Sequence, residues 1–176
     1  MTWDDDQKAA AFVTAKDPAV LEFAKNVISW TRPATSTQLN PNLAAVLAMH
    51  EALSLRGVSY VIDPGTPFAT YSQDELAVDF LQFPRQTLQY SAGDCDDLTI
   101  LYCALLESIS VPTAFVTIPG HIFAAVSLGI DRERVTRYFY RPEDLIITES
   151  DVWLPVEVTM LEKGFMEAWM EGAKQW

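Results

Sequence analysis

The 176-residue chain holds 24 acidic against 12 basic residues, and its net charge of −12 repels phosphate backbones and anionic membrane surfaces, which argues against nucleic acid as a partner. Apolar residues at 49% and charged residues at 20% separate it from disordered sequences, and its length suits one domain, residues 1–176, with a substantial core. No apolar run reaches the roughly 18 residues of a membrane helix, and Met1-Thr2-Trp3-Asp4-Asp5-Asp6 lacks the basic and apolar regions of a signal peptide.

The chain is therefore expected to be soluble, without direct membrane insertion. Asp17-Pro18 is an N-cap followed by a first-turn proline, and Val20, Leu21, Ala24, Val27 and Ile28 then recur at helical spacing up to Trp30. Asn40-Pro41 repeats the signal ahead of Leu43, Val46, Leu47 and Leu53, and Gly57 stands where a helix stops. Val58 to Ile62 reads as a short strand, and Asp63-Pro64-Gly65-Thr66-Pro67 as a loop. The segment 71–90 is mixed, with a capping-box pattern at Ser72 and Glu75 and a break at Pro84.

From Asp94 the period becomes helical again. Leu98, Leu101, Tyr102, Leu105 and Ile109 mark a buried face, closed by Val111-Pro112. Alternation then predicts strands at 113–118, 121–128, 135–140 and 153–159, and a last helix over 165–173. Helices first and strands afterwards predict an α+β fold. A helical N-terminal part, 1–57, precedes a core, 58–176, in which the cysteine-bearing helix packs on an antiparallel sheet.

Cys95 and Cys103 lie on one predicted helix, where eight residues separate them by about 12 Å along the axis, too far for a disulfide. Composition thus leaves the compartment open. Cys103 falls two turns deeper and reads as core. Gly93-Asp94-Cys95-Asp96-Asp97-Leu98 puts Cys95 in the first turn, with Asp94 as N-cap and Asp97 at the capping-box position. The helix dipole and free N–H groups there lower a thiol's pKa and hold an oxyanion. Asp94, Asp96 and Asp97 oppose this unless a cationic partner is near.

Only His50 and His121 are available as a base. His50 sits inside the second helix and reads as a partly buried structural residue. His121 follows Pro119-Gly120 at the start of a strand, sharing a face with Phe123, Ala125 and Ser127. Glu157 lies in the strand Trp153-Leu154-Pro155-Val156-Glu157-Val158-Thr159, opposite Leu154, Val156 and Val158, where a carboxylate is costly unless paired. If the two strands are neighbours, Glu157 orients one nitrogen of His121 while the other faces Cys95.

These three strings, in this order, resemble bacterial members of the transglutaminase-like superfamily of papain-like cysteine enzymes. The likeness covers roughly residues 60–176, with Phe83-Pro84-Arg85-Gln86-Thr87-Leu88 and Glu167-Ala168-Trp169 included. It implies a cysteine peptidase or amidase acting on a peptide or protein substrate, with Cys95 nucleophile, His121 base and Glu157 orienting acid, and no metal or cofactor. The third position usually holds aspartate, one methylene shorter. A cross-linking transglutaminase and a catalytically silent protein-binding module are the alternatives, and some domains of this kind belong to longer extracytoplasmic or membrane-anchored proteins. Oligomeric state is not legible.

Three further features bear on the site. Gln82, Gln86 and Gln89 lie where an oxyanion donor is often found, without a spacing that selects one. A calcium site at Asp94, Asp96 and Asp97 lacks glycine-punctuated loop spacing, and scattered cysteines and histidines do not suit zinc. Trp153, Trp169 and Tyr138-Phe139-Tyr140 read as core or sheet packing.

Overall fold

A computed structural model describes residues 1–2, 5–62 and 80–176. The loop expected at 63–67 and the capping box at Ser72 and Glu75 lie outside the described residues. The rest is a mixed α+β fold. Its helices are α1 (Pro18–Thr31), α2 (Pro41–Arg56), α3 (Pro84–Tyr90), α4 (Cys95–Ser108) and α5 (Phe165–Gln175). Its strands are β1 (Ser59–Tyr60), β2 (Ala92–Gly93), β3 (Thr113–Ile118), β4 (His121–Ser127), β5 (Ile146–Ile147) and β6 (Val152–Val156).

Helix starts follow the capping chemistry read from the sequence. Asp17 accepts from Ala19 N–H at 2.9 Å and Asn40 from Leu43 N–H at 2.9 Å, each ahead of a first-turn proline. Gly57 ends α2 in the left-handed conformation, φ 80°. Pro84 is not a break: it is the first residue of α3, whose N-cap N–H on Phe83 donates to Gln86 Oε1 at 2.8 Å. A proline starts a helix as readily as it ends one, because the N–H it lacks has no partner in the first turn.

Four strands form an antiparallel sheet in the order β3-β4-β6-β5. The hairpin register runs from Thr113 opposite Val126 to Ile118 opposite His121, across the Pro119-Gly120 turn. β6 pairs with β4 from Ala124 opposite Val156 to Ser127 opposite Trp153. The strand expected at 135–140 is instead a 3-10 helix, Arg132–Arg137, capped by Asp131 on Glu133 N–H. Phe139 packs edge-on against Trp169, whereas Tyr138 and Tyr140 are exposed, so only part of the predicted aromatic packing forms. The expected strand 58–62 shrinks to β1, which pairs in parallel with β2.

Helix α4 is buried on all sides. Asp96, Asp97 and Thr99 are buried along with the predicted apolar face, because α1 and α2 cover one side, β4 the other, and α3 the start. Tyr102 donates to Val46 O at 2.9 Å, tying α4 to α2, and Thr99 donates to Ile122 O at 3.3 Å, tying it to β4. The main core runs through Val20, Val46, Leu53, Leu101, Leu105, Val126, Leu154 and Phe165.

α5 crosses β6 at Gly172, where an added Cβ would stand 2.9 Å from the Pro155 carbonyl carbon and 3.0 Å from Val156 N. Those are backbone atoms of a buried strand and cannot turn aside. Gly172→Ala gains about 1 kcal/mol of helix propensity but incurs about 1–3 kcal/mol of overpacking. Urea unfolding is expected to show a net loss of about 1 kcal/mol or more, where an exposed helical glycine would show a gain.

Candidate functional site

The thiol of Cys95 stands in the first turn of α4, 4% exposed. Asp94 caps the helix, its carboxylate accepting from Asp97 N–H at 3.5 Å. Burial, then the charges of Asp96 and Asp94, push the thiol above its ordinary pKa, against hydrogen bonds from the N–H groups of Ile122 and Asp96. The packing of α4 on β4 and the Ile122 N–H facing the sulfur put the cysteine beside that strand. His121 is the residue before it.

His121 Nε2 meets Glu157 Oε2 at 2.5 Å, with the imidazole side chain 23% exposed and the carboxylate 2%. That contact leaves Nδ1 as the ring nitrogen available to another group. The expected strand over 153–159 ends at Val156, and Glu157 caps the 3-10 helix Val158–Lys163. Its own N–H donates to Ala168 O of α5 at 2.9 Å. Glu157 Oε1 accepts from Thr159 Oγ1 at 2.6 Å and Thr159 N–H at 3.0 Å. Burial alone would raise this carboxyl, but the donors from His121 and Thr159 outweigh it and hold the group below its ordinary value.

Asp97 shows the opposite balance. Gln82 N–H donates to its Oδ1 at 2.7 Å and the Gln82 amide reaches its Oδ2 at 2.5 Å. Burial dominates, with Asp94 adding to it, and the carboxyl is pushed up to about 7. The Asp94, Asp96 and Asp97 oxygens lie within 4.8 Å of one another, but Asp97 is engaged with Gln82 and the other two with Asp97 N–H. Gly93 is needed beside them, since an added Cβ would stand 2.6 Å from Asp97 Cβ.

The other sequence candidates lie elsewhere. His50 is fully buried rather than partly so, edge-on to Phe165 at 5.7 Å, with burial lowering its pKa. Cys103 is core as expected, its thiol pushed up to about 12 by burial. Of the glutamines, Gln82 is held by Asp97, Gln86 caps α3, and Gln89 lines a cleft with Asp17, Phe23 and Arg56. Sequence reasoning missed the part played by Thr159 and the pairing of Gln82 with Asp97. Glu-x-Thr is a local capping pattern that points to Thr159, whereas nothing in sequence links Gln82 to Asp97.

No protein-family model matches the chain, and no curated protein or solved structure matches it at a significant level. Among the described residues no helix is long and apolar enough to cross a membrane.

The raised carboxyl of Asp97 has a pH consequence. Between about pH 4 and pH 7 the folded chain holds a proton that the unfolded chain has released, so this group's stabilising contribution is complete below that window and lost as pH rises through it. Asp97→Asn cannot ionise, and its amide can pair with a turned Gln82 amide, whose buried Oε1 otherwise has no partner. Urea unfolding at pH 5 and pH 8 is expected to show the wild type losing roughly 2 kcal/mol relative to the variant as pH rises.

Proposed function

We propose that the chain is a thiol-dependent acyl hydrolase with a papain-like, transglutaminase-like core, acting on peptide or other amide carbonyls. The observation that carries this reading is the His121–Glu157 pair, 2.5 Å apart with the carboxylate buried, in which His121 directly precedes Ile122, whose N–H lies against the Cys95 thiol. A helix-borne cysteine against a sheet-borne histidine, with an acid on the far ring nitrogen, is the arrangement of an activated nucleophile.

The electrostatics favour one order of events. Burial and the Asp96 and Asp94 charges keep the thiol protonated at rest, so attack is coupled to transfer of its proton to His121 Nδ1. Sulfur adds to the carbonyl carbon, and the imidazolium forms against Glu157, which is already ionised. Collapse of the adduct breaks the C–N bond, and His121 returns its proton to the leaving amine. Water, deprotonated by the same imidazole, cleaves the thioester and releases the acid. An amine in place of water would give cross-linking.

A silent binding module is favoured by one observation: the same carboxylates and burial that raise the thiol disfavour its ionisation. Labelling separates the readings. Iodoacetamide followed by mass spectrometry is expected to modify Cys95 and spare Cys103, with the Cys95 rate falling roughly a hundredfold in His121→Ala and at least about tenfold in Glu157→Gln. Cys95 labelling that is slow and indifferent to His121 leaves the binding reading instead.

A further inference from the structure

Strand β1 is two residues long, and its place in the fold is more informative than its length. Tyr60 pairs with Gly93, two residues before Cys95, and Val61 N–H donates to Gly93 O at 2.8 Å. The same strand lies against the 3-10 helix Val158–Lys163 that Glu157 caps. Tyr60 therefore stands where the start of α4 and the Glu157 turn meet, over the two ends of the candidate site. At 44% exposure its ring borders solvent.

Partial burial, followed by coulombic coupling to Cys95, which acts only once that thiol is ionised, and to the carboxylates of Asp94, Glu157 and Asp96, raises the pKa of the phenol. All four groups are thus within electrostatic reach of its hydroxyl, and the phenol keeps its proton near neutrality. Acyl transfer needs a donor aimed at the carbonyl oxygen as that oxygen gains charge. Gln82 and Gln86 are engaged elsewhere and Gln89 opens onto the α1 cleft. Tyr60 is a neutral, protonated donor on the strand that pairs with Gly93, two residues before Cys95.

We infer that Tyr60 is the side-chain donor for the substrate's acyl oxygen, its phenolic O–H hydrogen-bonding the oxyanion formed when Cys95 adds to the carbonyl. This rests on the thiol reading above. In the step, the S–C bond forms, the carbonyl π pair moves onto oxygen, and the Tyr60 proton stays on the phenol throughout. When the adduct collapses, the oxygen's pair restores the carbonyl as the C–N bond breaks. Tyr60 touches substrate and exchanges no proton.

Two small reagents isolate that role, because only one passes through an oxyanion. p-Nitrophenyl acetate acetylates a thiol through a tetrahedral adduct, whereas iodoacetamide alkylates it by displacement at a saturated carbon. Tyr60→Phe is expected to slow acetylation of Cys95 by about a hundredfold, the low end for loss of an oxyanion donor, and to leave alkylation unchanged. Tyr60→His, which restores an N–H donor, is expected to recover part of the loss and serves if the phenylalanine variant misfolds. Equal losses with both reagents, unchanged acetylation, or wild-type Cys95 that alkylates but never acetylates would each overturn the assignment. Failure of the thiol reading is distinct, since it appears as wild-type alkylation indifferent to His121→Ala.

Discussion

Helix α4 has no solvent face along most of its length, so its first turn is also held on every side, and the position of Cys95 follows from that enclosure. A helix exposed along one stripe can slide or tilt at low cost. This one is fixed by Tyr102 reaching α2 and Thr99 reaching β4, so a shift of its start would break a buried hydrogen bond at each end of the contact. β2, α3 and the hairpin then take their places relative to that start. The thiol is buried because the helix is buried, and its raised pKa is a consequence of the same packing.

Buried carboxylates around this helix start differ in what meets them. Glu157 and Asp97 are both nearly inaccessible, yet their pKa values move in opposite directions. Glu157 faces an imidazole able to carry positive charge, together with a hydroxyl and a backbone N–H. Among the described residues Asp97 meets neutral donors, from Gln82 and from the Asp94 backbone, and has the like charge of Asp94 beside it. Desolvation is common to both, so the partner decides the sign. In a chain with twice as many acidic as basic residues, a buried carboxylate that finds an imidazole partner is the informative one.

Much of the scaffold was legible because its signals are local. Asp17-Pro18, Asn40-Pro41 and Gly57 each act within a turn of where they stand, and the helical period after Asp94 and the alternation of 113–128 are long enough to read without ambiguity. Errors arose where a short pattern admits two structures. Val135 to Tyr140 alternates like a strand, but the Asp131 cap on Glu133 N–H starts a 3-10 turn that runs to Arg137. Pro84 carries the same letter at a helix start as at a stop. His121 and Glu157 were legible as residue types in sequence context, and the structure brings them into contact. The Gln82–Asp97 pairing and the place of Tyr60 were not, since Gln82 reaches Asp97 across 15 positions and Tyr60 meets the α4 start through the β1–β2 bridge.

The length of the acid at position 157 fits the way β6 ends. The strand stops at Val156 because the next N–H turns to Ala168 O of α5 instead of continuing a ladder, so the side chain at 157 leaves the sheet and must reach back toward β4. One oxygen of Glu157 caps the following 3-10 helix through Thr159, and the other meets His121. An aspartate, one methylene shorter, has less reach from the same Cα to serve partners on both sides of the turn. The glutamate thus couples the orientation of His121 to the start of the segment leading into α5, and the packing of Gly172 on Pro155 holds that segment against the strand. Position 157 is a hinge point between sheet and terminal helix as well as a partner for the imidazole, and the second role depends on the first.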